Sequence, residues 1–139
     1  MLYGIGDMLE ISKEEFESFV KEGVDAIPEK FRSLIKNVGF FVDNEPTVTQ
    51  RRQNHLRPGE TLLGLYEGIP RTVRGAEYGG LVMPDRITIF KKPVEAEADT
   101  GEKVRQLVID TVWHEVAHHF GLGEREVERR EKAKKESNL

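Results

Sequence analysis

Two absences in the sequence, of cysteine and of any long apolar run, exclude several kinds of protein. Without cysteine the chain has no disulfide framework, no thiolate nucleophile and no sulfur ligand, so nitrogen and oxygen must hold any metal. No stretch approaches the roughly 18 apolar residues of a membrane span. The opening MLYGIGDMLEIS also lacks the cationic and apolar regions of a secretory signal peptide. We therefore expect a cytoplasmic protein without a membrane partner.

The sequence also lacks an excess of positive charge. It has 21 Lys+Arg against 25 Asp+Glu, a formal net charge of −4. This balance provides no overall attraction to phosphate backbones, so composition gives no support for a nucleic-acid partner. The 139 residues fall within the range of about 100 to 200 residues typical of one domain. We predict a single domain over 1–139.

Hydrophobic periodicity predicts two amphipathic helices. The first begins at a capping box, Ser12-Lys13-Glu14-Glu15, and its apolar stripe is interrupted by Pro28. A shorter helical turn is predicted to continue over 29–37. The second helix precedes a histidine-rich motif near the C-terminus. The core-facing residues of the two helices share helical spacing: Phe16, Phe19, Val20, Val24 and Ile27, then Val104, Leu107, Val108, Thr111 and Val112.

The middle of the chain favours strands. Three segments rich in β-branched and aromatic residues are predicted strands: 38–44, 61–68 and 86–92. A short extra strand is expected at 81–83, and 45–60 is predicted to be an exposed loop because it lacks apolar periodicity. The segment 124–139 is helical by propensity. This order of elements predicts an α+β domain with a small sheet.

The motif WHEVAHHFGLGE, residues 113–124, predicts a metal site. His114 and His118 stand one turn apart on a helix, so both imidazoles can reach one ion, and zinc suits nitrogen ligands. Glu115 lies about 100° around the helix, where its carboxylate can take a proton from a water on the metal. The pattern therefore predicts one zinc ion, with Glu115 as general base.

A catalytic zinc site usually has three protein ligands, so a further residue must approach after the helix ends. Gly121 follows His118 where a helix C-terminus can turn in the left-handed conformation. That reversal favours Glu124 as the third ligand. Glu126 and Glu128 remain alternatives.

Two other polar residues on the same helix have less direct roles. His119 points about 100° away from the face of His118, so a hydrogen-bonding or core-edge role is expected instead of ligation. Asp110, one turn before His114, could orient that imidazole or simply face solvent.

His114, Glu115, His118, Gly121 and Glu124 form HExxHxxGxxE, which resembles the zincin metallopeptidases. The pattern departs from the metzincins, which have His or Asp at the third ligand position and a later methionine. Four segments resemble, in order, a small bacterial family of minimal zincin-like metallopeptidases: GLYEGIP (64–70), YGG (78–80), PDRITIF (84–90) and HEVAHHFG (114–121). The resemblance implies a small mixed sheet packed on an active-site helix and flanking helices, and a zinc held by two His and an acidic residue at 124.

The leading functional hypothesis is zinc-dependent hydrolysis of peptide bonds in a peptide or protein substrate. Zincins align the substrate as an added strand, and either Leu81–Met83 or the strand from Arg86 could provide the sheet edge. The resemblance also suggests Tyr66, Tyr78 and Arg74 as candidate donors to a developing oxyanion.

Two alternatives remain open. A metal-dependent ribonuclease is suggested by a histidine-rich helix together with basic residues outside it, namely Arg51, Arg52, Arg57, Arg71 and Arg74. Against it, ribonucleases of that kind generally lack a glutamate directly after the first histidine. The other alternative is a non-catalytic binding module that retains the metal for stability.

Overall fold

The computed structural model describes residues 10–68 and 84–121. In chain order the elements are α1 (Lys13–Asp25), a 3₁₀ helix (Glu29–Ile35), β1 (Val38–Asp43), α2 (Val48–Gln53), β2 (Gly64–Glu67), β3 (Asp85–Phe90), α3 (Lys91–Glu97) and α4 (Gly101–His119). The strand predicted at 81–83 and the helix predicted over 124–139 lie outside the described residues. Within the described ranges, no helix is both long and apolar enough to cross a membrane.

The three strands form one mixed sheet in the order β1-β3-β2. β1 runs parallel to β3, pairing Val38 with Asp85 and Asp43 with Phe90. β2 runs antiparallel to β3, pairing Gly64 with Ile89 and Glu67 with Arg86. The predicted α+β class with a small mixed sheet is therefore confirmed.

α1 and α4 pack together on one face of this sheet. The Ser12 hydroxyl accepts a hydrogen bond from the Glu15 backbone N–H at 3.1 Å, as predicted for the start of α1. The predicted apolar stripes of both helices face the core. The fully buried apolar residues are Phe16, Ile87, Ile89, Phe90, Val94, Val104, Val108, Val112, Val116 and Ala117. Burial of these side chains is the main stabilising term of the fold.

The prediction of an exposed loop over 45–60 is wrong for its central part, which is α2. Thr47 and Gln50 form a reciprocal capping box: Thr47 Oγ1 accepts from Gln50 N at 3.0 Å, and Gln50 Oε1 accepts from Thr47 N at 2.9 Å. The Gln50 side chain is buried and also donates from Nε2 to Glu67 on β2 at 2.9 Å. These polar contacts stabilise α2, which has no apolar stripe from which the sequence could predict a helix.

The strand predicted over 86–92 is wrong at its end, because β3 stops at Phe90 and the chain enters α3 directly. Lys91 and Glu95 form a buried ion pair one turn apart on α3, with Nζ and Oε2 separated by 3.0 Å. The same Glu95 oxygen accepts the backbone N–H of Ile11 at 2.6 Å. Because Lys91 and Glu95 are paired with each other, both charges can be buried. This pairing allows α3 to pack one face into the protein despite its charged sequence.

Candidate metal centre

The predicted site lies in the last two turns of α4. The helix begins at Thr100, whose hydroxyl accepts from Lys103 N at 3.1 Å, and ends with Phe120 as its C-terminal cap. Gly121 then has φ +66°, the left-handed conformation in which glycine has no steric penalty. The left-handed conformation predicted at Gly121 is therefore present.

His114 and His118 lie one above the other on α4, as their spacing predicts. Their ring centres are 5.8 Å apart and the ring planes differ by 26°. Two imidazoles bound to one tetrahedral zinc at about 2.0 to 2.1 Å would have ring centres roughly 5 Å apart. A small side-chain adjustment therefore brings both rings within reach of one ion, so the pair fits zinc.

The third ligand stays a prediction. Within residues 10–68 and 84–121, no three His, Asp or Glu side chains gather in a way that could hold a metal ion. Glu124 and its alternatives Glu126 and Glu128 lie outside the described residues. The two imidazoles form the described part of the centre, and they match the nitrogen donors that zinc accepts.

Glu115 lies beside the histidine pair and packs against β2. A Cβ added at Gly64 would lie 3.3 Å from Glu115 Cγ and 2.9 Å from Thr111 Cγ2, so the bare backbone of Gly64 makes room for α4. Burial raises the pKa of Glu115, and the positive charge of His118 partly offsets this by lowering it. A half-buried carboxylate with a raised pKa is suited to accept a proton from water.

His119 faces β2 and not the His114–His118 pair. Its ring stacks on Tyr66, with centres 4.0 Å apart and planes 17° apart. Tyr66 also contacts Phe120 edge to face at 5.8 Å. Burial lowers the pKa of His119, and the charge of His118 lowers it further. This stacking against β2 agrees with the expectation that His119 lies off the face of the histidine pair.

Tyr66 does not fit the suggested role of oxyanion donor. Its hydroxyl donates to Asp85 Oδ2 at 2.5 Å, so its proton is directed to the start of β3. Tyr78 and Arg74, the other suggested donors, lie outside the described residues. Asp110 is half-buried and accepts a hydrogen bond from Gln106 Nε2 at 3.0 Å.

One of the two suggested substrate edges, the strand from Arg86, lies among the described residues. β3 is paired with β1 on one side and with β2 on the other, so the interpretation of the strand from Arg86 as a free edge is wrong. Leu81–Met83 lies outside the described residues. β2 is the strand whose residues contact the helix turn that contains Glu115.

Three of the basic residues invoked for a ribonuclease, Arg51, Arg52 and Arg57, lie on or just after α2. Arg51 donates from Nη2 to the backbone carbonyl of Arg57 at 3.0 Å, and Arg52 is exposed on α2. Arg71 and Arg74 lie outside the described residues. Arg51, Arg52 and Arg57 therefore belong to the surface around α2.

Sequence reasoning missed the contribution of Gly64. A glycine within a predicted strand often marks a close approach by another element, and this pattern was present in the sequence. Its partner could not be read from the pattern, because Thr111 and Glu115 are distant in sequence and meet Gly64 only in the folded chain.

Comparison with known proteins places this fold and motif in one family. No curated protein matches the sequence. A solved structure of a conserved hypothetical protein from T. thermophilus is similar in fold, with a TM-score of 0.53, 22% identity, and coverage of 79% of this chain and 94% of that chain. The sequence profile of a family described as zincin-like metallopeptidase matches residues 35–133, which confirms the resemblance and suggests a metal-dependent hydrolase. Because that match spans well over half of the chain, this protein belongs to the zincin-like metallopeptidase family.

Proposed function

We propose that this protein is a zinc-dependent hydrolase of peptide bonds. His114, His118 and Glu124 hold one zinc ion, and Glu115 is the general base. The observation that supports this most directly is the stacked pair of His114 and His118 rings, 5.8 Å apart, with a half-buried carboxylate on the adjoining residue. Two imidazoles and one such carboxylate on consecutive turns are the parts that water activation needs.

Each side chain has a separate task. Bound zinc supplies Lewis acidity to the substrate carbonyl and lowers the pKa of a coordinated water towards about 7. Glu115 accepts the proton of the attacking water and returns a proton to the leaving amine. Partial burial serves this task, because the desolvated carboxylate is a stronger proton acceptor than an exposed one.

Peptides are the favoured substrate class for two reasons. The family is described as metallopeptidase, and the net charge of −4 offers no general attraction to phosphate backbones. A substrate strand could be recognised by main-chain hydrogen bonds at a sheet edge close to α4. Since β3 is paired on both sides, that edge must come from another strand.

Metal analysis followed by peptide cleavage tests the proposal. Protein purified without added metal should contain about one equivalent of zinc, and it should cleave members of a peptide library. Glu115→Gln should retain the zinc and lose cleavage by about 10² to 10⁴-fold, the usual contribution of a general base. Glu97→Gln, the same change at an exposed position on α3, is the matched control and should behave as wild type.

The outcomes separate the proposal from its alternatives. A non-catalytic module would bind zinc and show no cleavage in wild type or in either variant. A ribonuclease would cleave single-stranded RNA in a salt-sensitive manner and leave the peptide library intact. Either result would overturn peptide hydrolysis as the function.

The identity of the third ligand needs a separate comparison. Glu124→Gln should reduce zinc occupancy after dialysis, because one of three protein ligands is lost. Glu126→Gln and Glu128→Gln are matched controls two and four residues further along the chain, and both should keep full occupancy. Unchanged zinc in Glu124→Gln, with loss in one of the other two variants, would move the ligand to that position.

A further inference from the structure

β2 contacts α4 twice at matching intervals. Gly64 lies against Glu115, and Tyr66 stacks on His119. A strand advances about 6.8 Å over two residues, and a helix advances about 6 Å over four. The two intervals agree closely, so alternate residues of β2 meet successive turns of one helix face.

This contacted face determines the direction of the metal ligands. Glu115 and His119 each follow a predicted ligand by one residue, which places them about 100° around α4 from the His114–His118 face. A rotation of the helix that displaced His119 from β2 would turn His118 by the same angle. The contact with β2 therefore fixes the orientation of both imidazoles relative to the sheet.

Tyr66 is itself held at a defined position. Its hydroxyl donates to Asp85 Oδ2 at 2.5 Å, and its backbone is opposite Ile87 in the β2–β3 ladder. One ring thus contacts His119, the last residue of α4, and Phe120, its C-terminal cap. Tyr66 therefore contacts the end of α4 directly before Gly121, whose φ is +66°.

We propose that Tyr66 is a positioning residue for the metal centre, which it orients by stacking on His119 at the end of α4. The proposal rests on the function proposed above. Tyr66 does not touch the ion or the substrate in this role. It holds the last turn of α4, from which His118 approaches the ion.

The primary test is the zinc dissociation constant of the full chain, measured by competition with a chromophoric chelator. Tyr66→Leu removes the aromatic stack and should weaken zinc binding by about 10 to 100-fold, the usual effect of losing a group that orients a ligand. Tyr66→Phe keeps the stack and loses the hydroxyl that bonds to Asp85, so it should stay within about threefold of wild type.

His119 provides a second pair of variants that tests the same contact from the helix side. His119→Phe keeps an aromatic ring against Tyr66 and should bind zinc as wild type does. His119→Ala removes the stack and should weaken binding to the same extent as Tyr66→Leu. Because His119 is exposed, these variants keep the proposal testable if Tyr66→Leu does not fold.

Thr100→Ala is the control for general loss of stability. It removes the cap at the opposite end of α4 and should lower the melting temperature of the metal-free protein while leaving the zinc dissociation constant within twofold of wild type. Equal weakening of zinc binding in Thr100→Ala would overturn the positioning role.

The other outcomes also test the positioning role of Tyr66. Wild-type affinity in both Tyr66→Leu and His119→Ala would overturn the inference and leave the proposed function intact. Loss of zinc in His119→Phe would show that the imidazole itself is needed, which also contradicts a stacking role. Failure of the wild-type protein to bind zinc would overturn the proposed function and the inference together.

Discussion

The two halves of α4 are positioned by different kinds of contact. The first half, up to Asp110, is capped by Thr100 and buries Val104 and Val108 in the core. The second half buries Val112 and Val116 on one side, but its polar residues are arranged by β2, through Gly64 and Tyr66. Both halves stabilise the fold, and the second also carries the candidate metal ligands. Substitutions in the second half should therefore affect zinc binding as well as stability, whereas those in the first half should affect stability alone.

The largest effect on stability is expected for Gly64→Ala. The added Cβ would lie 2.9 Å from Thr111 Cγ2, so β2 and the second half of α4 must move apart, which costs about 1 to 3 kcal/mol. Denaturant unfolding should show the loss, and peptide cleavage should fall because Glu115 is displaced. Gly101→Ala is the matched control, since nothing lies within 4 Å of its added Cβ. Equal stability of the two variants would contradict close packing at Gly64.

Val108→Ala should have a comparable effect on stability and none on the metal centre. Val108 is fully buried in the first half of α4, and removing two methyl groups from a packed core costs about 2 kcal/mol. The free energy of unfolding should fall by this amount in the metal-free protein. Zinc affinity of the folded variant should match wild type, and a tenfold weaker affinity would show that the two halves are coupled.

A smaller effect is expected for Thr100→Ala, whose hydroxyl accepts from Lys103 N at 3.1 Å. Loss of an N-cap costs about 1 kcal/mol. The change should appear in chemical denaturation of the metal-free protein. Thr100→Ser keeps a hydroxyl acceptor and serves as the matched control. A variant as stable as wild type would show that the start of α4 is held by other contacts.

The smallest effect is a pH-dependent gain in stability from Glu115→Gln in the metal-free protein. Burial raises the pKa of Glu115, so the folded state binds its proton more tightly than the unfolded state, and ionisation at neutral pH disfavours folding. The variant should have a higher melting temperature than wild type at neutral pH. The difference should shrink as pH falls and wild-type Glu115 becomes protonated. A constant difference at all pH values would exclude Glu115 ionisation as its cause.

Local patterns in the sequence predict the elements that form the core. The apolar stripes of α1 and α4 are periodic and line the core, and Ser12 caps the start of α1 as predicted. The same reasoning located the three strands to within a few residues at most ends. These features depend on the spacing of apolar residues, which is visible in the sequence wherever an element packs against a core.

Elements held by polar contacts were not predicted. α2 carries a capping box at Thr47 and Gln50 that resembles the one expected at Ser12, but it lacks an apolar stripe and was interpreted as a loop. α3 contains the buried pair of Lys91 and Glu95, and its first two residues were predicted to end a strand. Each helix also has a distant partner, Glu67 for α2 and Ile11 for α3, and a distant partner is not visible in a local pattern.

In the candidate site, too, features set by local spacing are predicted and features set by distant contacts are not. The spacing of His114 and His118 predicts their common face, and the structure places the rings together. The family resemblance suggests Tyr66 as an oxyanion donor, a role that does not agree with the hydrogen bond from its hydroxyl to Asp85. Its contact with His119 depends on the register of β2 against α4, which the sequence does not encode locally.

The hydrogen bond from Ile11 to Glu95 has a consequence for biosynthesis, because it joins positions 84 residues apart. When α1 leaves the ribosome, neither Glu95 nor α4 has been translated. The apolar face that contains Phe16 and Val20 therefore stays exposed to solvent, or bound to a chaperone, until α4 emerges. Translation of nearly all of α4 thus precedes the docking of α1.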